Sequence, residues 1–466
     1  LIGTYGLHRY WLVFLFNRHR KHVARPAERF DELPRVTVQL PMFNEMYVVE
    51  RLLESVAQFD YPKDKLEIQV LDDSTDETVE IAKAKVEELR QRGFDAVYVH
   101  REDRTGYKAG ALANGTKQAK GDFVLMLDAD FVPTQGMIGE LIHYFTDEKV
   151  AMVQARWGHL NKNYSMLTRV QSLMLDGHFI IEHIARNRSG RFFNFNGTAG
   201  IWRKQAIDDA GGWHHDTITE DMDLSFRAQI RGWKFVYVPD ALAPAEIPCE
   251  MNSFKMQQYR WAKGSAQTAK KILPIVLKAD IPLRVKIEAI FHLTNNFAYL
   301  FLVALAFLQL PNMLLRRTMQ SPELLLLDVP LFLATCGSIT LFYLTTHWTL
   351  YTNLGEAIRR LPMMMALGIG LSINNTRAVL EGLFGNNSEF IRTPKHGIIS
   401  KTQGWVKKRY KAGKTMHSVI EFCVGLYFVV TIGLAIATGS WASIPFLVMF
   451  MIGFLYVGSL SLYQTR

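Results

Sequence analysis

Pairs of aspartates follow two of the predicted strands in this chain of 466 residues. Asp72 and Asp73 come directly after the apolar stretch LEIQVL, and Asp128 and Asp130 come after FVLML. A single Asp after a strand is commonly the cap of the next helix. Two pairs at neighbouring strand ends would repel each other unless a cation or a donor-rich ligand lay between them. Asp128 and Asp130 therefore predict a site for a hard divalent ion that also binds a diphosphate.

Two other stretches offer a cation and a base. Lys108 lies among small residues in GYKAGAL, which suits a phosphate contact, although a solvated lysine at a helix start is the alternative. Asp221 stands in TITEDMD, where Thr217 with Glu220 fits a capping box and Thr219 is the alternative cap, so helix initiation alone accounts for the pattern. A carboxylate at a helix start favours its charged form. As a base, Asp221 would take a proton from a sugar hydroxyl.

The stretch QQYRWAKG at 257–264 combines a fixed cation with an aromatic ring shortly before the chain becomes apolar. On a helix, Gln257, Arg260 and Trp261 stand at i, i+3 and i+4 and share one face. Arginine binds phosphate oxygens in a fork, and tryptophan offers an apolar face with a polar N–H. We expect this face to contact a partner.

Alternating strands and helices are expected to position these groups. RVTVQLP, LEIQVL, DAVYVHR and DFVLML are predicted to be strands, with helices between them. This βαβαβαβ series predicts a parallel sheet with ligands at the carboxyl ends of its strands. A glycine-rich dinucleotide fingerprint and a Walker-type Gly-Lys-Ser are both absent, which argues against a dehydrogenase or an ATPase.

Long apolar runs replace this pattern from about residue 289 onward. Segments 289–312, 324–346, 418–438 and 443–463 are each near the length that crosses a bilayer, with buried core helices as the alternative. The first sixteen residues resemble the last part of another span. The sequence begins without an initiator Met, so we expect it to start inside a longer protein. The boundaries that we predict are 1–20 for this first helix, 30–250 for a soluble domain, 251–285 for interfacial helices, 286–348 and 418–466 for membrane helices, and 349–417 for an interfacial segment.

The net charge of +9 is unevenly spread. Residues 353–416 contain eleven Lys or Arg residues against three Glu. The positive-inside rule places this segment in the cytoplasm, and the cluster Arg18, Arg20, Lys21 and Arg25 places the start of the soluble part on the same side. This pattern favours a membrane protein that contacts lipids and does not bind nucleic acid. Three widely spaced cysteines indicate a reducing compartment.

In order, the chain contains DDSTD, GYKAGAL, DAD, FNGTAGIWR, TED and QQYRW. This ordered set, over about residues 35–270, resembles the processive inverting glycosyltransferases of family 2, which include the cellulose, hyaluronan and chitin synthases. VQARW and EDMDLSFRA are most similar to the cellulose synthase-like A and C branches of plants and their bacterial relatives, which make β-1,4-linked mannan or glucan. The resemblance implies an α/β GT-A domain, with a Rossmann-like, mostly parallel sheet, plus an α-helical transmembrane domain.

The resemblance also implies roles for individual residues. It assigns Phe43, Glu45, Asp73, Lys108, Asp128, Asp130 and Arg260 to the sugar nucleotide, and Asp128 and Asp130 to its Mg²⁺ or Mn²⁺. Asp221 becomes the general base in a motif with Thr219 and Glu220, whereas Trp261, Gln257, Asn196 and Gly197 bind the acceptor. FIRTPK at 390–395 resembles a gating loop, with Phe390, Thr393 and Lys395, although the family usually has valine where this chain has Arg392. Phe131 stands where cellulose synthases often carry histidine.

We therefore predict a hexosyltransferase, multi-pass in a bacterial inner membrane, with its catalytic domain in the cytoplasm. It would polymerise hexose from UDP-glucose or GDP-mannose onto a growing β-linked polysaccharide and export the polymer between its spans. His292, Asn295 and Asn296 would line that path or join helices. The alternatives are a non-processive enzyme that glycosylates a lipid acceptor, similar to ceramide or diacylglycerol glucosyltransferases, and an inactive scaffold or transport component. The sequence does not indicate an accessory subunit.

Overall fold

The computed structural model describes residues 1–319, 324–385, 392–410 and 416–464. Within these ranges, seven strands form one mixed sheet in the order β3-β2-β1-β4-β6-β5-β7. The strands are β1 Val36–Met42, β2 Leu66–Asp72, β3 Asp95–His100, β4 Phe123–Met126, β5 Val150–His159, β6 Gly200–Arg203 and β7 Lys234–Ala245. The four predicted strands are parallel to one another, whereas β6 runs antiparallel to both β4 and β5.

One detail of the predicted sheet was wrong. β1 pairs with β2 on one side and with β4 on the other, so the two aspartate pairs do not follow neighbouring strands. They lie on either side of the carboxyl end of β1. The residues that follow β1, Phe43 and Glu45, therefore stand between them.

Helices cover both faces of the sheet. They are α1 Ile2–His19, α2 Val49–Ala57, α3 Thr78–Gln91, α4 Tyr107–Gln118, α5 Met137–Ile142, α6 Met166–Gly177, α7 Ile184–Arg188, α8 Lys204–Asp209 and α9 Glu220–Ile230. One core packs α2, α3 and α5 against the side chains of Val36, Val38 and Leu40 of β1. The other packs α4, α8 and α9, with Leu12 and Phe16 of α1, against Val124 and Met126 of β4. The alternation of side chains along each strand produces these two layers.

The remaining helices connect the sheet domain to the apolar part of the chain. They are α10 Met251–Lys278, α11 Leu283–Thr294, α12 Ala298–Met319, α13 Leu324–Phe332, α14 Ser338–Tyr351, α15 Leu354–Gly370, α16 Ser372–Phe384, α17 His417–Ala437 and α18 Ile444–Tyr463. Among the described residues, four stretches are long and apolar enough to span a bilayer, namely Leu283–Arg316, Asp328–Tyr351, His417–Ala437 and Trp441–Tyr463. They overlap the four predicted spans, and together with the mixed sheet they confirm the predicted fold class.

α1 packs against α14 and the adjoining turn of π-helix at Leu333–Gly337. Its Tyr10 hydroxyl donates a hydrogen bond to the carbonyl of Leu333 at 2.7 Å. This first helix therefore contacts both the sheet domain and the apolar helices. Its identification as the end of a membrane span, like the other predicted domain boundaries, remains a prediction.

Candidate active site

One cavity, of about 190 Å³, lies at the carboxyl ends of β1, β2 and β4. It is closed by the start of α9, by α10 and by residues 392–395. Among the residues that line it are Phe43, Glu45, Asp73, Lys108, Asp128, Asp130, Asn196, Gly197, Thr219, Glu220, Asp221, Gln257, Arg260, Trp261, Thr393 and Lys395. All the predicted site residues that the structure describes are thus brought together, while Phe390 lies outside the described residues. Their individual roles remain predictions.

An arginine after β3 holds the carboxylate of Asp73. The Nε and Nη2 atoms of Arg101 donate hydrogen bonds to the two Asp73 oxygens at 2.8 and 2.5 Å. Asp72 is fully buried and accepts a hydrogen bond from the Tyr98 hydroxyl at 2.7 Å, so its role is structural. Asp73 alone of this pair lines the cavity.

Arg104 adds a second cation to the same side of the cavity. Its guanidinium carbon lies 3.3 Å from the centre of the Phe43 ring, a cation–π stack. Both residues line the cavity next to Asp73. The sequence patterns did not single out Arg101 and Arg104, although a cation just after a parallel strand is a usable signal, because the carboxyl ends of such strands share one edge.

Each carboxylate of the DAD motif is paired with a lysine. Lys108 Nζ lies 2.5 Å from Asp128 and donates a second hydrogen bond to the carbonyl of Gly197 at 2.9 Å. Lys395 Nζ lies 2.5 Å from Asp130. Burial disfavours the charged form of Lys108, but the carboxylates of Asp128 and Glu220 outweigh it and raise the pKa of Lys108. Lys108 is therefore held as a cation beside the DAD motif.

The residues present fit a divalent ion at Asp128 and Asp130. Carboxylate oxygens are the ligands that Mg²⁺ and Mn²⁺ prefer. Burial raises the pKa of the nearby Glu45 carboxyl to about 8, although Arg392 and Lys395 favour its charged form. Lys108 and Lys395 pair with Asp128 and Asp130 in this structure, so a bound ion would share these carboxylates with the two lysines.

Asp221 lies in the first turn of the helix α9 and lines the cavity. Its Oδ1 atom accepts a hydrogen bond from the backbone N–H of Met222 at 2.8 Å. A Cβ atom built on Gly197 would lie 3.0 Å from its Oδ2 atom, so the loop at Gly197 reaches the carboxylate. Burial and the neighbouring carboxylate of Glu220 raise the pKa of Asp221 to about 7. Such a group takes up and releases protons near neutral pH, as a general base must.

The start of α9 is held by packing against α10. Thr219 is the N-cap by position, but its side chain caps no backbone N–H and instead contacts Thr268 Oγ1 at 3.0 Å. The predicted capping interactions at Thr217 or Thr219 were therefore wrong. A Cβ atom on Gly264 would lie 2.5 Å from Thr219, which shows how closely the two helices approach each other.

α10 carries the predicted face of Gln257, Arg260 and Trp261, and all three residues line the cavity. Arg260 Nη2 donates a hydrogen bond to Thr393 Oγ1 at 2.7 Å. Burial lowers the pKa of Arg260, although the nearby carboxylates oppose this. The single 28-residue helix of α10 explains why the three side chains point the same way.

Residues 392–410 lie over the side of the cavity that carries Glu45 and Asp130. Arg392 is 3.3 Å from Glu45 and stacks 4.1 Å from the centre of the Tyr410 ring. Tyr410 in turn donates a hydrogen bond to Asp76, which follows β2. The arginine that departs from the expected valine thus has a carboxylate and a ring as partners. These contacts place the segment as a cover, and a gating movement remains a prediction.

A second group of possible metal ligands lies outside the cavity. Ligand atoms of His214, Asp216 and Asp223 lie within 4.8 Å of one another. However, the Lys271 ammonium contacts Asp216 at 2.7 Å and Asp223 at 2.9 Å, and Arg227 also pairs with Asp223. These cations already neutralise the group, so its arrangement is that of an ion-pair network.

Comparisons with known proteins concern the sequence and the fold of this chain. The profile of the family described as glycosyltransferase like family 2 matches residues 34–264. Glucomannan 4-beta-mannosyltransferase 1 of Oryza sativa subsp. japonica is 33% identical over 392 residues, which cover 81% of this chain and 72% of that protein. Glucomannan 4-beta-mannosyltransferase 2 of Arabidopsis thaliana is 34% identical over 407 residues, which cover 83% of this chain and 73% of that protein.

A solved structure shares the fold. The mannosyltransferase PcManGT from Pyrobaculum calidifontis, in complex with GDP-Man and Mn²⁺, superposes with a TM-score of 0.53 at 19% sequence identity. The match covers 82% of this chain and 99% of that chain. At this level of identity the likeness shows the fold alone.

Proposed function

Because the chain belongs to the family 2 glycosyltransferases, in their cellulose synthase-like group, and is a hexosyltransferase, we propose that it is a membrane β-glycosyltransferase that builds a β-1,4-linked polysaccharide. One observation carries the proposal. The Asp221 carboxylate, the DAD carboxylates and the Gln257–Arg260–Trp261 face line a single cavity. A base, a metal and phosphate site and a sugar platform are thereby within reach of one substrate.

The proposed donor is a mannose nucleotide, GDP-mannose, with UDP-glucose as the competitor. Support comes from the activity for which the relatives are named, since they are 4-beta-mannosyltransferases at 33% and 34% identity over most of this chain. On the donor side, Asp73 with Arg101, and Phe43 with Arg104, provide a carboxylate, cations and a ring around the nucleoside. This set of groups is compatible with either base.

The proposed reaction is an inverting displacement. Asp221 takes the proton of the acceptor hydroxyl as that oxygen attacks the anomeric carbon, and the bond to the diphosphate breaks so that nucleoside diphosphate leaves. Lys108 and Arg260 stabilise the charge that develops on the diphosphate. Trp261 places its ring under the acceptor sugar. A divalent ion held by Asp128 and Asp130 would add further stabilisation of the leaving diphosphate.

The four apolar helices make the chain a membrane protein in this proposal. The basic segment 353–416 then lies on the cytoplasmic side with the sheet domain. A polysaccharide is too polar to cross lipid, so it would leave between the spans. His292 is buried, and the centre of its ring lies 5.7 Å from that of Phe226 of α9. This contact joins the first of these spans to the sheet domain.

A donor screen tests the proposed function. The purified protein in detergent or nanodiscs is incubated with Mn²⁺ or Mg²⁺ and one sugar nucleotide at a time, and release of nucleoside diphosphate is measured. We expect release from GDP-mannose, and its loss in Asp221→Asn. Release from UDP-glucose alone would refute the proposed donor, and release from no sugar nucleotide would refute the transferase.

A further inference from the structure

The side chain of Asn196 lies between two histidines. Asn196 Oδ1 is 2.5 Å from His183 Nε2, and Asn196 Nδ2 is 2.9 Å from His178 Nε2. Both histidines belong to the turn of π-helix, His178–His183, that joins α6 to α7. Both polar atoms of the Asn196 amide therefore already have protein partners in this structure. Turns of π-helix of this kind are frequent at functional sites.

The chemistry of these groups fixes the direction of each hydrogen bond. His178 Nδ1 lies 3.0 Å from Glu182, and a carboxylate only accepts, so His178 carries its proton on Nδ1. Its Nε2 atom then accepts from the Asn196 amide NH₂. Asn196 Oδ1 must consequently face His183, which donates through Nε2. Burial holds the pKa of His183 well below its usual value, so this ring is neutral and carries its single proton on the Nε2 atom that faces Asn196.

The opposite orientation of the Asn196 amide is less favourable. It would place the Asn196 oxygen against His178 Nε2 and would require a proton on both nitrogens of that ring. It would also turn the NH₂ group toward the nitrogen that His183 now uses as a donor. The two histidines thus select one orientation of the amide.

We refer to His178, Asn196 and His183 together as the clamp. Gly197, which follows the clamp, lies next to Lys108 and Asp221. Gly197 has a positive φ of +77°, a conformation that favours glycine, and its carbonyl accepts the hydrogen bond from Lys108 at 2.9 Å. A Cβ atom built on Gly197 would lie 3.0 Å from the Asp221 carboxylate. A small movement of this peptide would therefore change the distances to Lys108 and to Asp221 together.

A chain of buried charges anchors the clamp from behind. Glu182 accepts from Arg186 Nη1 at 3.0 Å, and Arg186 Nε donates to Glu288 of α11 at 2.9 Å. Glu288 lies 3.1 Å from His8 of α1. The side chains of Arg186 and Glu288 are each only 2% exposed. The clamp is thereby tied to two helices outside the sheet domain.

We propose that His178 and His183 are positioning residues of the transfer reaction, which act through Asn196 to hold the Asn196–Gly197 peptide between Lys108 and Asp221. The inference rests on the proposed function and concerns the same site. Asn196, which the family resemblance assigns to the acceptor, then contributes by shaping the acceptor side of the cavity. Neither histidine lines that cavity, so neither touches the reacting atoms.

A pair of substitutions at His183 tests the proposal. His183→Gln retains a donor for Asn196 Oδ1, whereas His183→Leu fills the space without one. We expect His183→Leu to lower kcat by about tenfold to a hundredfold, since misplacement of this peptide disturbs the reacting geometry. His183→Gln is expected to recover most of this loss, with KM for the donor within about twofold of the wild type in both variants.

Three further measurements separate positioning from loss of stability. The variant His143→Leu loses another buried histidine, whose Nδ1 accepts from the N–H of Phe30 at 3.1 Å outside the cavity, and it is expected to keep the wild-type kcat. The double variant Asn196→Ala with His183→Leu should be no slower than Asn196→Ala, because the histidine acts through the amide. Thermal unfolding of each variant shows whether the protein is folded at the assay temperature. A loss of kcat caused by unfolding can then be distinguished from a loss caused by misplacement of the peptide.

The outcomes are distinct. Equal losses of kcat in the Gln and Leu variants, or additive losses in the double variant, would overturn the positioning role while leaving the transferase intact. Wild-type kcat in His183→Leu would overturn it as well. A wild-type protein that releases nucleoside diphosphate from no donor would contradict the proposed function itself, and the inference with it.

Discussion

At the scale of single residues, the position of Asp221 combines exposure to the substrate cavity with burial from bulk water. Burial and Glu220 favour its neutral form, while Lys108 favours its charged form. The result is a carboxylate that changes its charge near neutral pH. A solvated carboxylate at a helix start would instead be ionised throughout the physiological range.

The pH dependence of the rate follows from this shift. The proposed base works only when deprotonated, and its pKa is raised to about 7. We therefore expect kcat/KM to rise with pH through about 7 and to level off above it, since the fraction of charged Asp221 limits the rate at lower pH. The measurement is nucleoside diphosphate release between about pH 5 and 9, under conditions in which the protein stays folded.

Two variants serve as references for this profile. Asp221→Asn should lower the rate by about a hundredfold or more and remove the rise near neutral pH. Asp216→Asn, at an exposed carboxylate paired with Lys271, should keep the wild-type profile. A wild-type profile that is flat across neutral pH would argue against Asp221 as the titrating base.

Sequence patterns predicted which residues would lie together in the cavity. They did not predict the side chains of this protein that bind to those residues. Strand ends fix the positions of the aspartates after β2 and β4, and helical spacing fixes the face of α10, so sequence patterns could identify both. Arg101 directly follows β3, so its place at the strand ends could have been inferred from the strand pattern. The stacking of Arg104 on Phe43 and the pairing of Arg392 with Glu45 depend on loop paths, which no periodicity describes. Asn196 was found through the family resemblance, but its two histidine partners depend on a turn of π-helix.

At the scale of elements, the loop between α7 and β6 is restricted both in its backbone conformation and in the space around it. Gly197 combines a φ of +77° with close approach to Asp221. Gly212, between α8 and α9, has a similar φ of +76°, but a Cβ atom there would have no neighbour within 4 Å. Substitution of Gly212 therefore adds backbone strain alone, whereas substitution of Gly197 adds both backbone strain and crowding of the Asp221 carboxylate.

A matched pair of alanine substitutions uses this difference. Gly197→Ala and Gly212→Ala should each destabilise the fold by about 1 kcal/mol or somewhat more, through the same unfavourable φ. Gly197→Ala should also lower kcat by about tenfold or more, because its methyl group displaces Asp221 or the loop. Thermal unfolding and steady-state kinetics provide the two readouts. Equal activity in both variants would contradict the close approach of this loop to the base.

The sheet was predictable only as far as the alternation of strands and helices continued. The first four strands each precede a helix or a turn with a clear pattern, and their pairing is parallel as expected. β6 has four residues and runs antiparallel to β4. A strand of four residues is too short for the alternation of apolar and polar residues to be recognised. β5 and β7 pair although β6 and four helices separate them along the chain, so the sequence hides their relation.

At the scale of the whole molecule, a buried ion pair joins α10 to an apolar helix. Lys255 Nζ lies 2.6 Å from Glu421 of α17, and both side chains are almost completely buried. The same helix α10 presents Arg260 and Trp261 to the cavity. The position of this cavity-lining face relative to the apolar helices therefore depends in part on this pair. Sequence spacing gave no sign of a contact between residues so far apart.

Removal of one partner should be more harmful than removal of both. Lys255→Met leaves Glu421 buried without its cation, and we expect a loss of about 3–5 kcal/mol in stability. The double variant Lys255→Met with Glu421→Leu should recover much of this loss, since apolar side chains replace the pair. Lys270→Met, on an exposed part of the same helix, is the control. Unfolding in detergent is the measurement, and a double variant as unstable as the single one would contradict the expectation.

The product that the whole molecule makes decides between a polysaccharide synthase and a glycolipid-forming enzyme. Purified protein in nanodiscs is incubated with labelled GDP-mannose, and the product is sized and treated with an endohydrolase specific for β-1,4-mannan. We predict a labelled polymer that resists extraction into organic solvent and that the endohydrolase degrades to short mannose oligomers. A labelled product that is short, soluble in organic solvent and resistant to the endohydrolase would contradict this prediction and would identify a glycolipid-forming enzyme instead.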